Sequence, residues 1–394
     1  MAKVSRRNFL CAFASSGLVF GLAKNVKGSF ENPALAQTES SPIKIKKYNP
    51  LGKTGLKVSD ISCGTATVFE PNILRYAYDC GVNFFDTGEE YMRTKSETLI
   101  GQALKEVRDK VIILTKHYYP PQGKIEKADI IKRVEASLKR MHTDYVDIAM
   151  VHRIFDLSLL KNEELLSAYF QLKKEGKIRF TGFSTHDAKV TLKQTFDNDF
   201  TQVVLFIYNH MEGKEIEPLI QQAHKKGIGT IAVKVFAGRK QGNLKPLISQ
   251  ALSYPQAAIR WVLSNSHVYC CVLTMSSYSH IEEYIPASAK PLNRGDLKVI
   301  AEYQSQASNQ YCRVSCRECL SACPNGIAIN DILRYSMYFE DYRMEKEAMR
   351  YYAELEESKK PYKCLSCPGN CESTCPYGLG VREKLIRAHE ILSV

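Results

Sequence analysis

Past its N-terminus the 394-residue chain contains no run of about 18 apolar residues, which excludes a polytopic membrane protein. It also lacks any dense basic tract with interleaved aromatics, so its formal charge of +12 carries no nucleic-acid signature. Part of that charge is local. Residues 1–36 hold Lys3, Arg6, Arg7, Lys24 and Lys27 against Glu31, and without them +8 remains. No Gly-x-Gly-x-x-Gly turn follows any strand-like run, which speaks against a doubly wound dinucleotide fold. Cysteine is sparse over most of the chain. Five of the 13 (Cys11, Cys63, Cys80, Cys270, Cys271) precede residue 300 and are assigned no role, while eight crowd into the last 83 residues. With 44% hydrophobic and 24% charged residues the composition is that of a globular protein, and the length suits two or three domains or one large barrel with an appendage.

Ser5-Arg6-Arg7-Asn8-Phe9-Leu10 opens an apolar stretch from Leu10 to Ala23, and Ala34-Leu35-Ala36 follows. Ser15, Ser16, Gly17 and Gly21 interrupt the stretch, which makes it too weak for a secure transmembrane helix. Residues 1–36 resemble a twin-arginine signal peptide with an Ala-x-Ala cleavage site. The resemblance implies passage through the twin-arginine translocase as a folded protein, a periplasmic or extracytoplasmic location, and no stable transmembrane segment after cleavage. Residues 37–47 read as a linker.

From residue 48 to 300, continuously apolar β-branched runs alternate with amphipathic stretches. The strands are expected at Asp60–Cys63, Asn83–Phe85, Val111–Thr115, Val146–Val151, Arg179–Phe183, Val203–Phe206, Gly229–Val233 and Tyr269–Leu273. Runs without alternation indicate strands buried on both faces. Eight of them separated by helical segments predict an α/β fold, a (β/α)8 TIM barrel. In such a barrel the chemistry sits at the C-terminal strand ends. Those ends carry Asp86 with Tyr91 just beyond it, Lys116, and His152. A phenol with a pKa of about 10 is a poor acid at neutral pH. A neighbouring ammonium is expected to ease its ionisation, a carboxylate to hold that ammonium, and a histidine to orient a carbonyl oxygen.

This region resembles the aldo-keto reductases, on three stretches besides the tetrad. Leu51-Gly52-Lys53-Thr54-Gly55-Leu56-Lys57-Val58-Ser59 is similar to the family's opening hairpin, and Gly81-Val82-Asn83-Phe84-Phe85-Asp86-Thr87 and Arg260-Trp261-Val262-Leu263 continue the likeness. The resemblance implies carbonyl reduction with NADPH on a small carbonyl or alcohol substrate. Tyr91 would be the general acid, Lys116 and Asp86 its tuning pair, and His152 the orienting group. For the nicotinamide cofactor, NADP(H), it implies Ser184 and Thr185 in Gly182-Phe183-Ser184-Thr185-His186, then Lys234, then Ser276, Ser277 and His280 in the late segment. The family pattern is broken where Thr185 stands for Asn, Leu205 for the usual glutamine and Val233 for the stacking aromatic. The late segment also lacks the usual Lys and Arg, for which Arg239 and Lys240 are the other candidates.

Residues 301–394 lose the strand–helix alternation. Two runs stand out, Cys312-x3-Cys316-x2-Cys319-x3-Cys323-Pro324 and Cys364-x2-Cys367-x3-Cys371-x3-Cys375-Pro376. Thiolates at such spacing can each take one corner of a cubane, and the following Pro turns the chain away. Two four-thiolate zinc sites or disulfides would use the same residues and stay open as alternatives. The pair of runs resembles a bacterial-type two-cluster ferredoxin domain, each run one residue off the usual spacing. That resemblance implies a small, helix-rich ferredoxin-like domain with two [4Fe-4S] clusters. The fourth cysteine of each run would serve the other cluster: Cys312, Cys316, Cys319 and Cys375 for one, Cys364, Cys367, Cys371 and Cys323 for the second. The echo of Pro324-Asn325-Gly326 in Pro376-Tyr377-Gly378 suggests two related halves around a helical insert at 330–358, whose Tyr335, Tyr338 and Tyr342 read as a packing stripe. The whole reads as an exported oxidoreductase with a redox partner protein. The rival is an iron–sulfur electron-transfer protein whose barrel no longer binds a nicotinamide.

Overall fold

The computed structural model describes residues 43–120, 124–155, 158–194, 198–238, 253–314, 316–342 and 344–393. The secretion-signal pattern, Cys11, Arg239 and Lys240 lie outside them. Eight strands form the closed barrel: β3 (Ile61–Gly64), β4 (Phe84–Asp86), β5 (Ile112–His117), β6 (Val146–Ile154), β7 (Ile178–Thr185), β8 (Val203–Ile207), β9 (Gly229–Val233) and β10 (Cys270–Thr274), with β10 pairing β3. All neighbours are parallel. A short antiparallel hairpin, β1 (Tyr48–Pro50) and β2 (Lys57–Ser59), precedes them, as expected from the opening motif.

The two-residue pleat decides which side chains meet. Phe84, Ile112, Leu114, Ile148, Met150, Leu205, Ile231 and Val272 fill the barrel interior, while Phe85, Ile113, Ala149, Val151, Val204 and Ala232 face the surrounding helices. Asp86, Lys116 and His152 each stand two residues after an inward side chain. They therefore cap the interior as a polar layer at the rim. Close packing of β7 on β8 depends on Gly182, where a Cβ would lie 1.9 Å from the Val203 carbonyl oxygen. Gly182→Ala is expected to destabilise the fold by about 3 kcal/mol or more, read as a shift in the urea midpoint.

Helix α2 (Lys95–Leu104) follows β4, α3 (Lys127–Arg140) follows β5 and α4 (Glu163–Lys174) follows β6. The last barrel helix, which we label α9 (Arg294–Ala307), crosses the boundary expected at residue 300. Its Tyr303 and Ala307, and Tyr311 beyond it, belong to the barrel core. Apolar burial, not the end of the strand–helix repeat, marks where the barrel stops.

The tail has its own core, built on α10 (Ile329–Tyr342), α11 (Glu345–Ala353) and α13 (Val381–Leu392), with Cys319, Cys364 and Cys371 among its buried members. The two halves repeat. Gly326 and Gly378 take φ +61° and +62°. Their N–H groups donate to the Cys323 and Cys375 carbonyls at 3.2 Å, and α10 and α13 start three residues on. Helix α10 lies against the barrel mouth, where Tyr342 Oη donates to the Gly238 carbonyl at 2.5 Å and Met337 joins the barrel core.

Candidate active site

Burial dictates the first contact. Lys116 is 1% exposed, so its ammonium must find partners within the protein. It donates to Asp86 Oδ1 at 2.5 Å and to the Thr87 carbonyl at 2.5 Å. Burial pushes the Asp86 carboxyl up and the Lys116 ammonium down, and each opposes the shift in the other. Tyr91 arrives on the turn after β4, held by its N–H donating to the Gly88 carbonyl at 3.0 Å. Three left-handed residues, Met92, Arg93 and Thr94, then swing the chain into α2. Lys116 Nζ stands 4.9 Å from the Tyr91 ring centroid, and the Tyr91 ring meets His152 edge to face at 5.7 Å and 75°. All four predicted residues thus come together.

Their electrostatics differ from the expectation in one respect. Burial, then the Asp86 carboxylate, pushes the Tyr91 phenol well above its ordinary range. The ammonium of Lys116 is already spent on Asp86, so the resting residue is a neutral phenol rather than an easily ionised one. His152 is neutral too, because burial drives its imidazole down to about 3. Its Nδ1 lies 3.3 Å from Glu90 Oε2, which also accepts from Arg153 Nη2 at 2.9 Å. Burial raises Glu90, but His152 and Arg153 outweigh it and hold it ionised. Two neutral donors with a fixed cation below them suit protonation of a carbonyl oxygen. The unfolded His152 takes a proton at about 6.5, so acidification from there towards 3 favours unfolding. His152→Gln should flatten the fall of stability over that range, measured by urea unfolding at a series of pH values.

The residues expected at the cofactor are more scattered. The Ser184 hydroxyl accepts from the Arg153 N–H at 2.9 Å, and Thr185 Oγ1 accepts from the Asp187 N–H at 2.9 Å, so both are engaged by backbone. Leu205 and Val233 line the inner apolar cluster, and no amide replaces the missing glutamine there. The nearby Asn209 spends its side chain on Lys234, Met211 and Glu212 backbone. Ser276, Ser277 and His280 form one knot after β10. Ser276 Oγ is 3.3 Å from His280 Nδ1, and Ser277 Oγ accepts from the His280 N–H at 3.2 Å as the N-cap of the next helix. Lys234 lies directly past the adjacent strand β9 in a left-handed conformation.

Sequence reasoning missed Glu90, directly before Tyr91, and Arg153, directly after His152, and Arg334 and Tyr338 on α10. The expected tyrosine stripe does pack, Tyr335 and Tyr338 against the tail core and Tyr342 against the barrel. Burial raises the Tyr338 phenol, yet Lys234, Arg334 and Arg153 outweigh it and bring it to about 7. The i, i+4 spacing of Arg334 and Tyr338 was visible; that their helix covers the barrel was not.

In the tail, the Cys312 thiol is pushed up to about 12 by burial and then by Cys316, Cys319 and Cys375. Cys364 is pushed up to about 11 by burial and then by Cys323, Cys367 and Cys371. The Cys375 charge thus acts on the first run and that of Cys323 on the second, while Cys371 also acts on Cys319. The Ile327 N–H donates to Cys323 Sγ and Asn330 Nδ2 to Cys312 Sγ, both at 3.4 Å. All the described cysteines are free thiols. Among the described residues no group of three or more His, Cys, Asp or Glu side chains is placed to hold a metal ion.

Comparison with known proteins matches residues 65–245 to the aldo/keto reductase family. The chain is 24% identical over 360 residues to aldo-keto reductase AFTS1 of Alternaria alternata, covering 71% of this chain and 97% of that one. It is 27% identical over 294 residues to L-galactose dehydrogenase of Arabidopsis thaliana, covering 65% and 92%. The solved holo form of aldo-keto reductase AKR11C1 from Bacillus halodurans shares the fold with a TM-score of 0.54 at 21% identity, over 65% of this chain and 95% of that one. The stretch that matches the aldo/keto reductase family, residues 65–245, carries all four convergent side chains.

Proposed function

We propose that the protein interconverts a small carbonyl compound and its alcohol as an oxidoreductase of aldo-keto reductase type, with the tail relaying electrons to or from a redox partner protein. The observation that carries this reading is a neutral phenol and a neutral imidazole edge to face above a buried Lys–Asp pair. Reduction requires a hydride at carbon and a proton at oxygen, and a bound nicotinamide supplies the hydride. Tyr91 Oη holds the proton and releases it as charge grows on the substrate oxygen. The His152 N–H orients that oxygen, and the Lys116 ammonium, anchored by Asp86, stabilises the phenolate left behind. Alcohol oxidation runs the same proton the other way.

Ser184, Thr185, Lys234, Ser276, Ser277 and His280 are the residues that would hold NADP(H). Cationic Lys234 and the serine knot suit phosphate, whereas Leu205, Val233 and the engaged Thr185 suit a carboxamide poorly. Those three residues favour the second reading, an iron–sulfur electron-transfer protein whose barrel no longer binds the nicotinamide. Fluorescence titration separates the two: NADPH binding below about 1 mM supports the enzyme, and its absence for both NADPH and NADH supports the rival.

The cysteine spacing, the exchanged grouping of thiols and the N–H donors to sulfur support two [4Fe-4S] clusters, held by Cys312, Cys316, Cys319 and Cys375 and by Cys323, Cys364, Cys367 and Cys371. Such clusters pass single electrons. Anaerobically purified protein should contain about eight irons and eight acid-labile sulfides. Folded, colourless, iron-free protein would remove the relay from the proposal. The twin-arginine pattern supports export after cluster insertion, which cell fractionation checks.

A further inference from the structure

Two non-glycine residues near barrel strand ends lie on left-handed backbone, Arg153 at φ +55°, one residue before β6 ends and after the inward His152, and Lys234 at φ +59°, directly past β9 and the inward Val233. Such strain persists where surrounding structure enforces it, most often at functional sites. Both residues carry a cation to the rim that holds the tetrad. A third cation comes from the tail. Arg334 on α10 packs over the loop after β9, with its Nη1 3.5 Å from where a Gly238 Cβ would lie. Its guanidinium sits 5.1 Å from the Tyr338 ring centroid. The charges of Arg153, Lys234 and Arg334 all act on the Tyr338 phenol, and those of Arg153 and Tyr338 reach the Tyr91 phenol.

The cluster is short of close anions: the Glu212 carboxylate acts on Lys234 and Arg334 from beyond ion-pair distance. Glu90 pairs with Arg153. Among the described residues neither Lys234 nor Arg334 has a carboxylate within ion-pair distance, and the Nε atoms of Arg153 and Arg334 are buried without an acceptor. Half-buried cations left without counter-ions are costly, and the arrangement makes sense if an anion arrives from outside. Guanidinium groups suit carboxylate or phosphate oxygens because their N–H donors match two acceptors at once.

We infer that Arg153 and Arg334, beside the Lys234 assigned to the cofactor phosphate, form a receptor for the oxyanion, carboxylate or phosphate, of the carbonyl substrate, with the Tyr338 phenol standing among the cations until the substrate displaces it. The inference rests on the proposed carbonyl chemistry at Tyr91 and narrows its substrates to anionic ones. It also gives the tail a second task, since Arg334 and Tyr338 lie outside the stretch that matches the family and complete its pocket.

Calorimetric titration of the full chain tests this without requiring turnover. The probes are 4-formylbenzoate and 4-formylphenyl phosphate, against the neutral 4-formylbenzamide, with wild type, Arg334→Gln and Arg334→Lys. At least one anionic aldehyde should bind about tenfold or more tightly than the amide, an advantage that collapses in Arg334→Gln and survives in Arg334→Lys. Equal affinities in the wild type, an advantage untouched by Arg334→Gln, or no binding of either anion at about 10 mM each overturn the inference. So does a fall in NADPH affinity in Arg334→Gln with the aldehyde preference intact, which would assign the cations to cofactor phosphate. Failure of the carbonyl chemistry itself shows separately, as an absence of turnover with the anionic aldehydes that bind.

Discussion

Tyr91→Phe should lower turnover of small aldehydes by about 10²- to 10⁴-fold while leaving aldehyde and NADPH affinity within about twofold. In the proposed reaction the phenol gives the proton, and burial holds it neutral until then. Removing one oxygen keeps the ring that packs on His152 and lies near Lys116, so positioning survives and only the proton is lost. Steady-state kinetics on wild type and variant read the split: kcat falls and KM does not. A raised KM with unchanged kcat would assign Tyr91 to binding and remove it from the chemistry.

Breaking the pair beneath it should be costly to the fold itself. Lys116 and Asp86 are both buried and meet at 2.5 Å, so deleting either partner leaves the other charge without compensation. Asp86→Leu or Lys116→Met alone is expected to cost about 3–5 kcal/mol in urea unfolding. The double variant Asp86→Leu/Lys116→Met should cost clearly less than the two single losses combined, because no charge is then stranded. Additive losses would mean that the two groups do not depend on each other. Turnover stays low in all three: Lys116→Met and the double variant remove the cation that stabilises the conjugate base, and Asp86→Leu takes away that cation's anchor.

A change of light absorption offers a third check on the rim. With Lys234, Arg334 and Arg153 around it, Tyr338 should ionise near pH 7, giving a phenolate difference spectrum from one of the chain's 22 tyrosines. Tyr338→Phe should abolish that step and leave the transitions above pH 10.

Much of this molecule could be read along the chain. Strand placement followed from uninterrupted apolar runs, and every predicted barrel strand lies within two residues of its observed start. The tetrad followed from that placement, because strand ends and the two-residue pleat are local properties: Asp86, Lys116 and His152 inherit their inward direction from Phe84, Leu114 and Met150. The repeat of the two cysteine runs was legible for a related reason, as a Cys-Pro turn acts over a few residues and returns as the matching turns at Gly326 and Gly378.

Three-dimensional packing decided the rest. Whether Tyr91 ionises easily depends on how the Lys116 charge is shared with Asp86 and on how much water burial removes, and neither is a property of a residue type. That α9 runs past residue 300 was set by the apolar contacts of Tyr303 and Ala307. The pairing of Arg334 with Lys234 and Arg153, residues separated by 100 and more positions, exists because the tail helix folds back over the barrel mouth. Local pattern specifies elements and the faces they present. Which charges end up sharing one dry rim is settled by long-range docking, whose energetics no short window of sequence contains.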